Sequence, residues 1–171
     1  MPKTILLVED NDDDVFLITR AFKNVGLVTP MVRATDGQNA IDYLSGKGDY
    51  ADRVKFPMPA LVLLDIKMPF LTGLEVLRWI RAQARLAALP VVMFTTSSQE
   101  CDVRSAYGSG ANAFLVKPAR LEECTSVANV IKQFWIDANV APPLEVAPHP
   151  PQPEASPREP ARKPRTFGHY I

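Results

Sequence analysis

Five short runs of mostly apolar, branched residues recur along the chain, at residues 4–8, 31–34, 60–64, 91–94 and 113–116. Such short runs predict β-strands, and the continuously apolar runs at 4–8, 60–64 and 91–94 are typical of strands buried within a sheet. The run at 31–34 is the weakest of the five, which favours an edge position for that strand.

Apolar residues recur at helical spacing between these runs. The pattern predicts five helices, which begin near residues 11 and 36, follow residue 73, and extend over 99–109 and about 121–135. Strands that alternate with helices connect as right-handed crossovers. The chain is therefore predicted to form an α/β fold, a doubly wound five-stranded parallel sheet in a three-layer sandwich with five helices.

Polar side chains follow four of the predicted strands. Glu9 and Asp10 follow the first strand, Asp65 the third, Thr95 the fourth and Lys117 the fifth. An ionised carboxylate inside a buried strand loses several kcal/mol or more to desolvation, so these groups are expected where the sheet opens to water. In an open parallel sheet, that edge is where ligands bind.

The types of these residues suggest a particular chemistry. Three carboxylates at one edge repel one another unless a cation lies between them, and Mg²⁺ commonly binds one or two carboxylates with phosphate oxygens and water. Lys117 suits a phosphoryl oxygen, Thr95 can donate a hydrogen bond, and Asp65 can act as a carboxylate nucleophile. The neighbouring acids at 12–14 are interpreted as charges that cap the first helix.

Composition excludes several classes of function. With 19 basic and 19 acidic residues the net charge is zero, which gives no support for binding nucleic acid or an anionic membrane. Both histidines lie in the C-terminal tail, which argues against histidine catalysis or a zinc site in the folded part. Without a secretory signal or membrane span, a cytoplasmic protein is expected, with Cys101 and Cys124 as buried hydrophobic residues rather than a disulfide.

The composition changes abruptly near residue 138. Nine of the 16 prolines lie beyond that point, so we predict a domain over residues 1–137 and an extended, proline-rich C-terminal arm over 138–171. Phe134, Trp135 and the end of the arm also motivate an alternative interpretation. In it the protein is a dimeric scaffold, a homodimer formed through the last helix and the arm, whose output is association.

Several motifs at the strand ends carry a family resemblance over roughly residues 3–136. They are Leu7-Val8-Glu9-Asp10, Leu63-Leu64-Asp65 with Met68-Pro69 and Gly73, the segment 90–95, and the segment 110–118. In this order they resemble the receiver domain of two-component response regulators. The resemblance implies the strand order 2-1-3-4-5.

The resemblance also implies the roles of the site residues. Asp65 accepts a phosphoryl group from a sensor histidine kinase. Glu9 and Asp10 hold Mg²⁺ together with Asp65 and the backbone carbonyl of Lys67. Apart from accepting and losing its own phosphoryl group, the protein is expected not to be an enzyme.

Three further residues complete the implied set. Lys117 pairs with the phosphoryl group, and its bond to Pro118 is expected to be cis. Thr95 moves toward the phosphoryl oxygen, and Phe114 follows it as the switch aromatic. The side chain of Lys67 is expected to face the site, where it could pair with Glu9 or the phosphoryl group.

A narrower resemblance concerns the partner. The long loop 48–59, the run 95–97, the residues at 102–107 and the Phe134-Trp135 pair are similar to small regulators that pair with phytochrome-type kinases. A flavin-binding redox protein of similar topology is the remaining alternative. It requires a phosphate-binding loop after the first strand, where this chain has the acidic segment 9–14.

Overall fold

Five parallel strands form one sheet in the order β2-β1-β3-β4-β5 in the computed structural model, which describes residues 3–141. The strands are β1 (Ile5–Val8), β2 (Met31–Ala34), β3 (Leu61–Leu64), β4 (Val91–Thr95) and β5 (Ala113–Val116). The predicted parallel α/β sheet and its order are confirmed, and β2 lies at an edge.

Five α-helices connect the strands. They are α1 (Asp12–Asn24), α2 (Gly37–Ser45), α3 (Gly73–Ala82), α4 (Glu100–Gly108) and α5 (Leu121–Ile131). Polar side chains define three of the starts, because Asn11, Asp36 and Thr72 each accept a hydrogen bond from a backbone N–H of the first turn. In α3 the N-terminal residues Thr72 and Glu75 form a complete capping box.

Alternate residues of the central strands enter two separate cores. Leu6 and Val8 of β1 pack with α2 and α3 on one face of the sheet. Ile5 and Leu7 pack with α1 and α5 on the other. All four residues of β1 are buried, as are those of β3, which explains why both strands are continuously apolar.

The last helix differs from the prediction. The α-helix ends at Ile131, and residues Lys132–Ala138 continue as a π-helix. In a π turn, residues five apart lie near the same face. Ile136 therefore joins Ile131 in the buried core, while Phe134 is exposed and packs edge-on against Trp135 at 4.8 Å between ring centroids.

The long loop after α2 is packed. Tyr50, in a short 3-10 helix (Gly48–Ala51), and Phe56 contact Tyr43 of α2, with ring centroids 5.2 and 6.2 Å from it. Tyr43 also donates a hydrogen bond to the carbonyl of Pro57 at 2.6 Å. The loop thus covers the apolar face of α2.

The two cysteines are free, as predicted, but only Cys124 is buried. The expectation that Cys101 is also buried is wrong, because its position on the short helix α4 faces solvent. Within residues 3–141, the helices are too short or too polar to span a membrane. Most of the predicted C-terminal arm, residues 142–171, lies outside the described residues.

Candidate functional site

The carboxyl ends of β1 and β3 bring two acids side by side. Val8 and Leu64, the last residues of these strands, are paired in the sheet, so Glu9 and Asp65 follow at adjacent positions. Both are buried, Glu9 with 1% and Asp65 with 6% of its surface exposed. Buried carboxylates need compensating charge, and the surrounding residues provide it.

Asp10 completes an acidic cluster with these two residues. One carboxylate oxygen from each of Glu9, Asp10 and Asp65 lies within 4.8 Å of the others. Asp10 is exposed, so the cluster opens to solvent on its side. Carboxylate oxygens at this spacing are the ligands that hard divalent cations prefer.

Lys117, which follows β5, is the cation of the site. Its ammonium donates hydrogen bonds to Glu9 and, at 2.9 Å, to Asp14, and lies 3.6 Å from a carboxylate oxygen of Asp65. The Lys117 side chain is only 5% exposed. Lys117 therefore links three acids in one network: Glu9 after β1, Asp65 after β3, and Asp14 in the first turn of α1.

Burial and the neighbouring charges shift the pKa values of Glu9 and Lys117 in opposite directions. Burial raises the pKa of Glu9 above its ordinary value, against the lowering effect of the hydrogen bond and charge of Lys117. Burial by itself lowers the pKa of Lys117, but the hydrogen bonds to Glu9 and Asp14 and the charge of Asp65 raise it above the ordinary value. Lys117 is therefore held in its charged form.

The carboxylate of Asp65 is oriented by the loop that follows it. One of its oxygens accepts a hydrogen bond from the backbone N–H of Ile66 at 2.8 Å, and the other faces Lys117. Gly73 packs directly beneath this loop, and its N–H donates to the carbonyl of Ile66 at 3.0 Å. A Cβ atom on Gly73 would lie 1.9 Å from the carbonyl oxygen of Asp65.

Thr95 and Phe114 lie on the neighbouring strands β4 and β5. Thr95 is fully buried, and its hydroxyl accepts a hydrogen bond from the N–H of Ser97 at 3.3 Å. Phe114 is partly buried against the core that contains α2 and α3. Ser97 in turn donates a hydrogen bond to Asp102 of α4, which ties the end of β4 to that helix.

Lys67 does not pair with Glu9 and the bond before Pro118 is not cis, whereas the pairing of Lys67 with a phosphoryl group stays a prediction. Lys67 is exposed and makes no ion pair with any described residue, so Lys117 and not Lys67 pairs with Glu9. The cis bond expected before Pro118 is wrong, since residues 3–141 contain no cis peptide bond. The trans form is the lower-energy state of an X–Pro bond.

Two residues of the site were missed or misassigned from the sequence. Asp14 was interpreted as a capping charge, but its carboxylate binds Lys117. Arg33, at the end of β2, contacts the acidic loop after β1. The strand order offers one signal for Arg33, because β2 lies beside β1 and Arg33 pairs with Leu7 near its end.

Comparison with known proteins gives a consistent picture. A family model described as the response regulator receiver domain matches residues 5–129. The chain is similar to the probable methanogenesis regulatory protein FilR2 of Methanothrix harundinacea, with 39% identity over 144 residues that span 82% of this chain and 88% of FilR2. It is also similar to the response regulator Rcp1 of Synechocystis, with 34% identity over 82% of this chain and 94% of Rcp1.

Solved structures agree with these matches. The bacteriophytochrome response regulator RtBRR is 40% identical, with a TM-score of 0.67 over 84% of this chain and 86% of that chain. The Mn²⁺-bound crystal structure of Rcp1 is 34% identical, with a TM-score of 0.75 over 83% of this chain and 100% of that chain. These matches confirm the resemblance that the motifs at the strand ends indicated.

Proposed function

The chain belongs to the response regulator receiver domain family, and from that premise we propose that it is a response regulator that accepts a phosphoryl group on Asp65. The donor is a sensor histidine kinase. The regulatory domain occupies residues 1–137, the proline-rich arm occupies 138–171, and the output passes through contacts with other proteins. A cytoplasmic location is part of the same proposal.

One observation carries this proposal. A carboxylate nucleophile, two further acids and a buried ammonium converge at one edge of the sheet, with Lys117 3.6 Å from Asp65 and acid oxygens within 4.8 Å of one another. Phosphoryl transfer depends mainly on positioning and on neutralising charge. This edge of the sheet offers both.

The reaction is a displacement at phosphorus. A carboxylate oxygen of Asp65 forms the new O–P bond, and the P–N bond to the donor's phosphohistidine breaks. Because the ring of that phosphohistidine leaves with a proton on its other nitrogen, the products are an acyl phosphate on Asp65 and a neutral imidazole on the donor. The hydrogen bond from Ile66 to the other oxygen of Asp65 holds the carboxylate in place. Lys117 neutralises an oxygen of the transferred group.

The acids fit a divalent cation, which we propose to be Mg²⁺. Glu9, Asp10 and Asp65 would hold it with their carboxylates, together with the backbone carbonyl of Lys67. When bound, Mg²⁺ supplies positive charge to the phosphoryl oxygens. The Mn²⁺-bound structure of the relative Rcp1 supports a divalent cation as the partner of these acids.

Thr95 and Phe114 are proposed as the switch. The hydroxyl of Thr95 is buried at the same edge, where it accepts a long, 3.3 Å hydrogen bond from the N–H of Ser97, so it can turn toward a new oxygen acceptor on Asp65. Phe114 lies on the adjacent strand and packs on the core behind it. A shift of Thr95 would leave space for Phe114 to follow.

Receiver domains are phosphoacceptors rather than enzymes that turn over a separate substrate, and we propose that this chain supports only its own phosphorylation and dephosphorylation. A phytochrome-type kinase is the proposed donor, because similar proteins such as RtBRR are named bacteriophytochrome response regulators. FilR2 is named for methanogenesis instead, so phosphoryl transfer to this chain from several classes of histidine kinase should be compared.

The homodimer stays a prediction, and nucleic acid and membranes are not proposed as partners.

Replacing Asp65 with asparagine is expected to abolish phosphorylation, because an amide oxygen is too poor a nucleophile to displace the donor. The measurement is labelling by radioactive acetyl phosphate in the presence of Mg²⁺, with Asp49→Asn, an exposed acid in the loop after α2, as the control. The wild type and Asp49→Asn should label equally. Label that persists in Asp65→Asn would contradict the proposal.

A further inference from the structure

Arg33 is the one cation that contacts the acidic loop from the β2 side among the described residues. Its guanidinium donates three hydrogen bonds, to the carbonyl of Glu9 at 3.0 Å, to the carbonyl of Asp10 at 2.9 Å, and to the carboxylate of Asp12 at 2.6 Å. The Arg33 side chain is 28% exposed. The contacts thus reach the backbone of two residues whose side chains form the acidic cluster.

The geometry points to Arg33 as a positioning residue for the divalent-cation site, an inference that rests on the proposed function. Two carbonyl oxygens held by one rigid guanidinium fix the peptide planes after Glu9 and Asp10. Those planes set the directions in which the two carboxylates leave the chain. Arg33 therefore holds both acids ready to bind without touching the cation itself.

Charge and position have opposite effects here, which makes the inference testable. A positive charge so close to the acids repels a cation, so removing it should strengthen cation binding if charge is all that Arg33 contributes. If Arg33 acts by fixing the loop, its removal lets the mutually repelling acids separate, and cation binding weakens. Tighter cation binding after removal of Arg33 would show that its charge dominates, and weaker binding would show that its hold on the loop dominates.

The opposite side of the loop is held by other contacts. Asn11 caps α1 through Asp13 and Asp14, and its N–H donates to the Glu9 carboxylate at 3.2 Å. Lys117 holds the end of the Glu9 side chain. These contacts leave the carbonyls of Glu9 and Asp10 to Arg33, so loss of the guanidinium should act on their backbone.

The test is isothermal titration calorimetry of the full-length protein with MgCl₂ at fixed ionic strength. We expect Arg33→Met to weaken Mg²⁺ binding by about tenfold or more, the range that loss of a partner behind the metal ligands typically produces. Arg33→Lys keeps the positive charge but loses the planar guanidinium that contacts both carbonyls, and should weaken Mg²⁺ binding by several-fold. Asp12→Asn keeps both carbonyl contacts and should bind within about twofold of the wild type.

The outcomes separate the inference from the proposed function. Mg²⁺ binding that is unchanged or tighter in Arg33→Met overturns the positioning role, as does a loss in Asp12→Asn equal to that in Arg33→Met. If Arg33→Met does not fold, Arg33→Lys decides, and unchanged binding there overturns the inference. A wild type that does not bind Mg²⁺ contradicts the proposed function itself, and the positioning role falls with it.

Discussion

Replacing Lys117 with methionine is expected to destabilise the folded protein by about 3–5 kcal/mol, the usual consequence of removing one partner from a buried ion pair. The side chain of Lys117 is 5% exposed and contacts Glu9, Asp14 and Asp65. Methionine fills a similar volume, so the loss reports the charge rather than a cavity. Urea denaturation at neutral pH measures the change in the free energy of unfolding.

The cause can be checked with two further variants. Glu9→Gln in the Lys117→Met background removes the buried carboxylate that lost its partner, and should recover part of the stability. Lys132→Met is the matched control, because its ion pair with Asp137 lies at the surface and should contribute at most about 1 kcal/mol. A Lys117→Met protein as stable as Lys132→Met would mean that Lys117 does not compensate the buried charge of Glu9.

Replacing Gly73 with alanine is expected to have an effect of similar size through sterics alone. The new Cβ atom would lie 1.9 Å from the carbonyl oxygen of Asp65 and 3.1 Å from the Cα of Ile66. Both neighbours are backbone atoms and cannot rotate away, so β3 and α3 must separate by about 1 Å. We expect a loss of about 3 kcal/mol in the free energy of unfolding, the upper end of the usual cost of overpacking.

The same change should also disable the site. A displacement of about 1 Å of a reacting group can slow a reaction by roughly 100-fold, so any Gly73→Ala protein that folds should accept phosphoryl groups far more slowly. Gly108→Ala is the control, because nothing lies within 4 Å of its added Cβ and it ends α4 on the surface. Wild-type labelling by Gly73→Ala would show that the acceptor loop does not rest on Gly73 as described.

The strands were the most predictable part of the fold. Each apolar run located its strand to within one residue. For β1, β3 and β4 the reason is that a strand buried on both faces permits few polar positions. The strand order was available only through the family resemblance, since the pattern alone does not say which side of the sheet each crossover takes. The π turn after Ile131 could not be predicted, because apolar residues follow at both spacings: Phe134 continues the α-helical spacing, whereas Ile136, five residues on, is the one that is buried.

The site was only partly predictable for a physical reason. Glu9, Asp65 and Lys117 each follow a strand of the sheet directly, so the sheet itself places them at one edge. Arg33 instead contacts the backbone carbonyls of Glu9 and Asp10, which follow the neighbouring strand β1. The sequence around Arg33 contains no pattern that predicts this contact. Asp14 lies in the first turn of α1, where an acid ordinarily stabilises the helix N-terminus, so its hydrogen bond with Lys117 could be found only in the tertiary structure.

The most direct test of the proposed acceptor site is to map the phosphoryl group by mass spectrometry after incubation with acetyl phosphate, once with Mg²⁺ and once with a chelator. The claim at stake is that Glu9 and Asp10 hold a divalent cation beside a nucleophilic Asp65. We expect modification of Asp65 alone, dependent on Mg²⁺ and lost in a Glu9→Gln/Asp10→Asn variant. A phosphoryl group on another residue, or equal modification of Asp65 with the chelator, would contradict it.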